Sequence, residues 1–247
     1  MNNTTKLSDG IWSFPNLNFT GDDILEVYIS ILHAELPNTD YVVNEYNNIL
    51  KVNDFFIGDL TFTLTQGNYN INTFITMFNS IATNGYTLSY SSLTNKLTLT
   101  APNSFSVLAS QSSCIYILGL GISNFNSVGL SATFPFCINL LPTSVFSIKS
   151  STFNIGNFGA DNSSDIFLTI QNNGSNGSRC LYSNFSGIKY KLDNPNLSVF
   201  DIKIVDEHSN LVNFQGVDWS ITFQLDILFR DKEPLPKFEN LINSVSG

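Results

Sequence analysis

The stretch from Val217 to Ile227 constrains the fold most. Val217, Trp219, Ile221, Phe223, Leu225 and Ile227 alternate with Asp218, Ser220, Thr222, Gln224 and Asp226. Successive side chains on a strand point to opposite faces, so this period of two makes one face apolar and the other polar. Such a strand must lie in a sheet with one side against a core; a helix would scatter the same residues around its circumference. Leu25, Val27, Ile29 and Ile31 alternate in the same way with Glu26, Tyr28 and Ser30, in a run that extends from Ile24 to Leu36 and ends at Pro37–Asn38. Phe200, Ile202 and Ile204 alternate with Asp201 and Lys203. Shorter candidates are Val145–Lys149, Ile166–Ile170 and Ile188–Leu192, separated by the Gly-rich loop at 172–177 and followed by the turn Asp206–Asn210. From Phe134 onward only strand signals remain, which predicts a sandwich or jelly roll.

The texture between 38 and 133 differs. Strands are expected at Ile49–Val52 and Leu60–Leu64. Ile71, Phe74, Ile75, Phe78, Ile81 and Ala82 then follow helical spacing, with Asn70 or Asn72 as N-cap and Gly85 just beyond the end. Tyr86, Leu88 and Tyr90 pair as a hairpin with Leu97 and Leu99. A second short helix over Ser110–Leu118 stops at Gly119. These signals predict an all-β chain: a jelly-roll β sandwich with a small inserted α+β domain. The expected division is an N-terminal arm at 1–23, a jelly-roll domain at 24–37 plus 134–229, the insertion at 38–133, and a C-terminal tail at 230–247 containing Pro234 and Pro236.

Composition narrows the function. Only 13% of the 247 residues are charged, against roughly 25% in average usage. Asn, Ser, Thr and Gly take their place, a surface with little charge repulsion against neighbouring subunits. The formal charge is −9, and no basic run exceeds Lys189–Tyr190–Lys191. Phosphate binding needs clustered Lys and Arg, so no nucleic-acid groove and no anionic membrane surface are expected. No apolar run approaches the length of a spanning helix, so membrane insertion is not expected. The first twenty residues lack an apolar signal segment, so secretion is not indicated.

Catalytic and metal signals are thin. His33 and His208 are the two histidines, and neither lies beside a nucleophile-elbow pattern. Asp22–Asp23 and Asp206–Glu207 are adjacent acids, read as turn or strand-entry residues. Asp161, Asn162 and Asp165 lack the dense ligand spacing of a calcium loop. Gly119–Leu120–Gly121 lacks the third glycine of a phosphate loop. Cys114, Cys137 and Cys180 are scattered and odd in number, and read as buried free thiols. The expectation is a non-enzyme with no cofactor and no metal. Trp12 and Phe14 in the arm and Phe238 in the tail have no local core to join. They are the candidate subunit-interface residues, because an exposed aromatic on an arm gains by burial against a neighbour.

Several short marks occur in order along the chain. They are Leu36–Pro37–Asn38, Tyr41, Asn47–Asn48, Gly67–Asn68–Tyr69, Phe74, Thr94–Asn95–Lys96 in the hairpin Tyr86–Thr100, Cys114 with Leu118–Gly119, Asn213–Phe214 and Val217–Asp218–Trp219–Ser220. In these the chain, from Leu25 to Phe229, resembles the penton (minor capsid) proteins of virophages and polinton-like viruses. The resemblance implies a structural protein of the virion, found at the capsid vertices and assembled in the infected host cell. It implies a homopentamer around each fivefold vertex, with double jelly-roll major capsid proteins as neighbours, a host surface receptor as a further contact, and no catalytic residues. The rival reading is a carbohydrate-binding or host-attachment β-sandwich module, since polar and aromatic loops suit glycans.

Overall fold

The computed structural model describes residues 9–13, 23–153, 166–192 and 199–230. The chain opens with strands β1 (Asp9–Ser13) and β2 (Ile24–Pro37). Next come β3 (Ile49–Asp54), β4 (Gly58–Thr63), helix α1 (Ile71–Ile81), β5 (Thr87–Ser91), β6 (Lys96–Thr100) and β7 (Phe105–Val107). A 3-10 turn (Ala109–Gln111), helix α2 (Ile115–Leu118), β8 (Phe125–Asn126) and β9 (Ser131–Thr133) follow. The last group is β10 (Val145–Lys149), β11 (Ile166–Gln171), β12 (Arg179–Ser183), β13 (Tyr190–Lys191), β14 (Val199–Val205) and β15 (Ser220–Phe229).

The fold is an all-β sandwich carrying an inserted α+β unit, as the alternating runs predict. One sheet of the sandwich has the order β1-β14-β10-β11; in the other, β2 pairs with β15 on one side and with β12 and β13 on the other. Every pairing is antiparallel, and the chain crosses repeatedly from one sheet to the other, in the manner of a jelly roll. The inner faces meet in one apolar cluster that includes Val27, Ile29, Phe146, Ile148, Phe167, Ile202 and Phe214. Phe223 of β15 reaches across to Phe153 and Phe167, with ring centroids 6.0 and 5.9 Å apart.

The alternation along β2 has a break that the sequence pattern hides. Phe223 faces Ile31 and Thr222 faces His33, so Leu32 is an extra residue opposite nothing. A bulge of this kind reverses which parity faces inward. Val27, Ile29 and Ile31 are buried before it, Ala34 and Leu36 after it, and Leu32 itself is 45% exposed. One long strand thereby serves a bent sheet. The Leu32 carbonyl accepts from Asn184 N–H instead, at 3.0 Å.

The second apolar cluster is separate. It gathers residues from Val43 to Phe134, with Phe74, Phe78, Phe105 and Leu118 fully buried. Two small sheets, β4-β3-β7-β8 and β5-β6-β9, enclose it. Helix α1 starts with a capping box: Asn70 Oδ1 accepts from Thr73 N–H, and Thr73 Oγ1 accepts from Asn70 N–H, both at 3.0 Å. These two bonds satisfy donors that a helix start leaves unpaired. Gly119 ends α2 in the left-handed region at φ +70°.

Four features depart from the sequence expectation. Residues 9–13, inside the stretch read as an arm, form a strand on this chain's own sheet, Asp9 opposite Lys203 and Ser13 opposite Val199. Phe134, placed at the start of the jelly roll, is buried in the second cluster, where Ile138 and Leu140 also pack. The second helix is a 3-10 turn followed by a single α turn rather than one helix over 110–118. Cys114 and Cys180 are buried, but Cys137 is exposed, so the reading of three buried thiols is corrected at that position.

Candidate interaction surfaces

The two clusters are joined where the chain leaves β2 and returns to β10. Pro37 stops the β2 ladder, and the next residues bond to loops of the sandwich. Asn38 N–H donates to Ser178 O at 2.8 Å, Asn38 Nδ2 to Gly174 O at 2.9 Å, and Thr39 Oγ1 to Phe214 O at 2.8 Å. Asp40, only 6% exposed, accepts from Thr143 Oγ1 on the returning chain at 2.9 Å. The N–H groups of Asn213 and Tyr41 also donate to it. Burial raises the Asp40 carboxyl to about 6, the Asp206 charge adds to the rise, and the three hydrogen bonds oppose it.

On the insertion side, amide side chains do the same work. Asn47 Oδ1 accepts from Asn44 N–H at 2.7 Å and its Nδ2 donates to Val42 O at 3.0 Å. Asn68 Oδ1 accepts from Val42 N–H at 2.9 Å, and Val43 pairs with Gly67 through both backbone bonds. A chain that leaves a sheet must satisfy its backbone groups somewhere, and Asn supplies a donor and an acceptor together.

A cleft of about 460 Å³ lies over this junction, lined by Tyr41, Tyr46, Asn139, Asp206, Glu207 and His208 among others. Tyr116 of α2 stacks on His208 of the β14–β15 turn, centroids 4.6 Å apart and planes at 15°, so one wall comes from each cluster. The Asp206 carboxylate accepts from His208 N–H, Asn210 N–H and Asn210 Nδ2, at 2.9, 2.8 and 3.0 Å. It is thus spent on holding its own turn. What faces the cleft is aromatic and hydrogen-bonding, a lining suited to a polar, hydroxyl-bearing ligand more than to proton transfer.

The residues singled out from the sequence are dispersed. Trp12 lies on β1 with its backbone opposite Phe200, while Phe14, Phe238 and the Asp161–Asn162–Asp165 group lie outside the described residues. His33 Nδ1 is 3.2 Å from Ser183 Oγ on the outer face of the sandwich; the neighbouring Glu35 is held by Arg179 at 2.9 Å. Gly119 is a helix stop: a Cβ there would lie 2.5 Å from Phe136 O. Among the described residues no three His, Cys, Asp or Glu side chains come together to hold a metal. Sequence reasoning missed Asp40 and Tyr116. Their partners Thr143 and His208 lie far along the chain, and no local pattern announces such a pair.

No family model matches the chain, and no curated protein matches it. Among solved structures, the crystal structure of the selenomethionine-labelled penton protein of mavirus covers 93% of this chain and 97% of its own, at 11% identity and a TM-score of 0.43.

Proposed function

We propose that this chain is a structural capsid protein, a penton that fills the fivefold vertices of an icosahedral shell as a homopentamer, without catalytic activity. One observation carries the reading. Several of the sequence marks on which the resemblance to virophage and polinton-like penton proteins rests meet, though scattered along the chain, at or beside the junction. Asn38, Asn213 and Phe214 take part in the hydrogen bonds that tie the chain leaving β2 to the sandwich, and Tyr41, Asn47, Gly67 and Asn68 in those that order it just beyond. A resemblance that includes the joint is a resemblance in architecture, which is the part of a vertex protein that its neighbours require. The neighbours in this reading are double jelly-roll major capsid proteins, and Trp12, Phe14 and Phe238 contribute to contacts between subunits.

The test is assembly. Purified full-length protein, alone and mixed with its major capsid protein, is imaged by negative stain and sized by sedimentation velocity. Fivefold rings are expected, weakened by Trp12→Ala without loss of the thermal transition. A chain that stays monomeric in both mixtures refutes the reading. The junction cleft favours a second reading, a glycan-binding attachment module. Binding to a glycan array that Tyr116→Ala abolishes, in a protein that forms no rings, would establish it instead.

A further inference from the structure

The pair Asn–Gly occurs three times in the chain, at Asn84–Gly85, Asn173–Gly174 and Asn176–Gly177. This pair carries its own chemistry. The glycine nitrogen can attack Cγ of the preceding side chain, because no Cβ on the glycine hinders the approach. A five-membered succinimide forms, the Cγ–Nδ2 bond breaks, and ammonia leaves with the proton that the glycine nitrogen gives up. Water then adds to one of the two ring carbonyls and opens the ring to Asp or to its β-linked isomer. The net change converts an amide and a water to a carboxylate and ammonium, with no oxidant or cofactor.

All three asparagines are exposed, so exposure does not separate the pairs. Ring closure needs the glycine nitrogen to lose its proton and the asparagine Cα–C bond to rotate. What separates the pairs is where the glycine N–H is held. Gly174 N–H donates to Asn172 Oδ1 at 3.2 Å, and Gly177 N–H donates to Asn38 O at 2.7 Å. Both acceptors are anchored at the junction. Asn38 is buried, and its Nδ2 donates back to Gly174 O. Asn172 is buried too, and donates from its N–H to Ser144 O at 2.8 Å and from Nδ2 to Thr143 O at 2.7 Å. Rotating either pair toward the ring strips a bond from a buried group, which is costly. Gly85 differs, for its N–H meets no acceptor among the described residues. Asn84 and Gly85 follow α1 in the left-handed region, at φ +56° and +75°, which is uncommon for a residue with a side chain. One backbone bond closes this turn, from Tyr86 N–H to Thr83 O at 3.1 Å. The Asn84 amide donates to Thr83 Oγ1 at a long 3.4 Å.

We propose that Asn84 is a site of spontaneous deamidation in the folded protein, and that the fold shields Asn173 and Asn176 from the same reaction. An exposed turn opens at low cost, whereas the loop at 172–178 opens only by breaking bonds to buried groups of the junction. The product places a new negative charge just beyond α1. Its β-linked form also adds a backbone methylene beside Pro102, which packs so near that a Cβ at Gly85 would lie 2.7 Å from its Cγ. The inference does not depend on ring formation.

The experiment ages the full chain in mildly alkaline buffer, folded and, in parallel, unfolded in urea. Peptide mass spectrometry follows the conversion of each asparagine to the acid, with the two isomers separated by chromatography. In the folded chain Asn84 is expected to convert at least about tenfold faster than Asn173 or Asn176. In urea the three rates are expected to draw together, since each pair then has the same freedom. Asn84 that stays intact in the folded chain would overturn the proposal. So would conversion of Asn173 or Asn176 at a rate comparable to Asn84 there. A difference in rate that persists undiminished in urea would overturn it as well, by showing that the neighbouring sequence and not the fold sets the order.

Discussion

Replacing Asp40 by Asn tests the junction directly, because the sign of the effect depends on pH. The carboxyl is raised to about 6 in the folded protein and sits near 3.9 in an unfolded chain. The folded state therefore binds more protons than the unfolded state between those values, and stability falls as pH rises through that window. Two units of difference correspond to about 3 kcal/mol of stability lost above the window. Asn keeps the shape and one acceptor oxygen but has no proton to lose. It gives up one acceptor position, worth about 1 kcal/mol. The variant should thus be about 1 kcal/mol less stable than the unaltered chain near pH 4, and about 2 kcal/mol more stable near pH 7.5. Urea melts of both proteins across this range give the difference at each pH, and titrations that do not couple to Asp40 cancel in it. A difference that is flat with pH would refute the reasoning. It would mean that Asp40 titrates alike in both states and that its burial has no cost.

The remaining predictions concern the insertion. Phe78→Ala removes a fully buried ring that lies 5.5 Å from Phe62 and should cost about 3–5 kcal/mol in a chemical melt. Asn70→Ala loses the capping box of α1 and should cost about 1 kcal/mol, whereas Asn70→Ser should recover most of it. Gly119→Ala meets the Phe136 and Cys137 carbonyls and a left-handed backbone, so a loss of at least about 2 kcal/mol is expected. Replacing residues 42–141 by a short Gly/Ser linker should leave a sandwich that still melts cooperatively, because Asp40 and Thr143 are hydrogen-bonded across the cut; aggregation of that protein, with no folded fragment from either part, would show that the two clusters depend on each other.

How legible this was in the sequence varied with the range of the interactions. The α1 cap is local: Asn70 and Thr73 lie within one turn, and the helix starts where the spacing of Phe74 and Phe78 predicts. Val145–Lys149 matches β10 end for end, since its apolar run is bounded by a Pro142 loop and Ser150–Ser151. β12 was not foreseen. Arg179–Ser183 alternates weakly, with Cys180 buried and Leu181 67% exposed, and it becomes a strand only because β2 offers it an edge. The bulge at Leu32 was equally hidden, because the apolar residues of β2 run on through it and only the partner strand shows which parity changes. Asp40 and the cleft were illegible for the same reason at longer range.

The junction explains why the insertion can hang from one end of the sandwich without a shared core. Two apolar clusters that met directly would fuse into one; here a layer of polar side chains intervenes. Asp40 and Thr143 bond each other, Asn38, Asn47 and Asn68 bond the crossing backbone, with the buried Asn38 Oδ1 left without a partner among the described residues, and these bonds are directional. An apolar interface tolerates sliding, whereas a hydrogen-bonded one accepts few registers, since a displaced partner leaves a buried polar group unpaired. The orientation of the insertion is therefore set by polar groups that add little net stability. Asp40 makes this plain, for it is a group whose charge the fold opposes yet whose oxygens collect three donors from three parts of the chain.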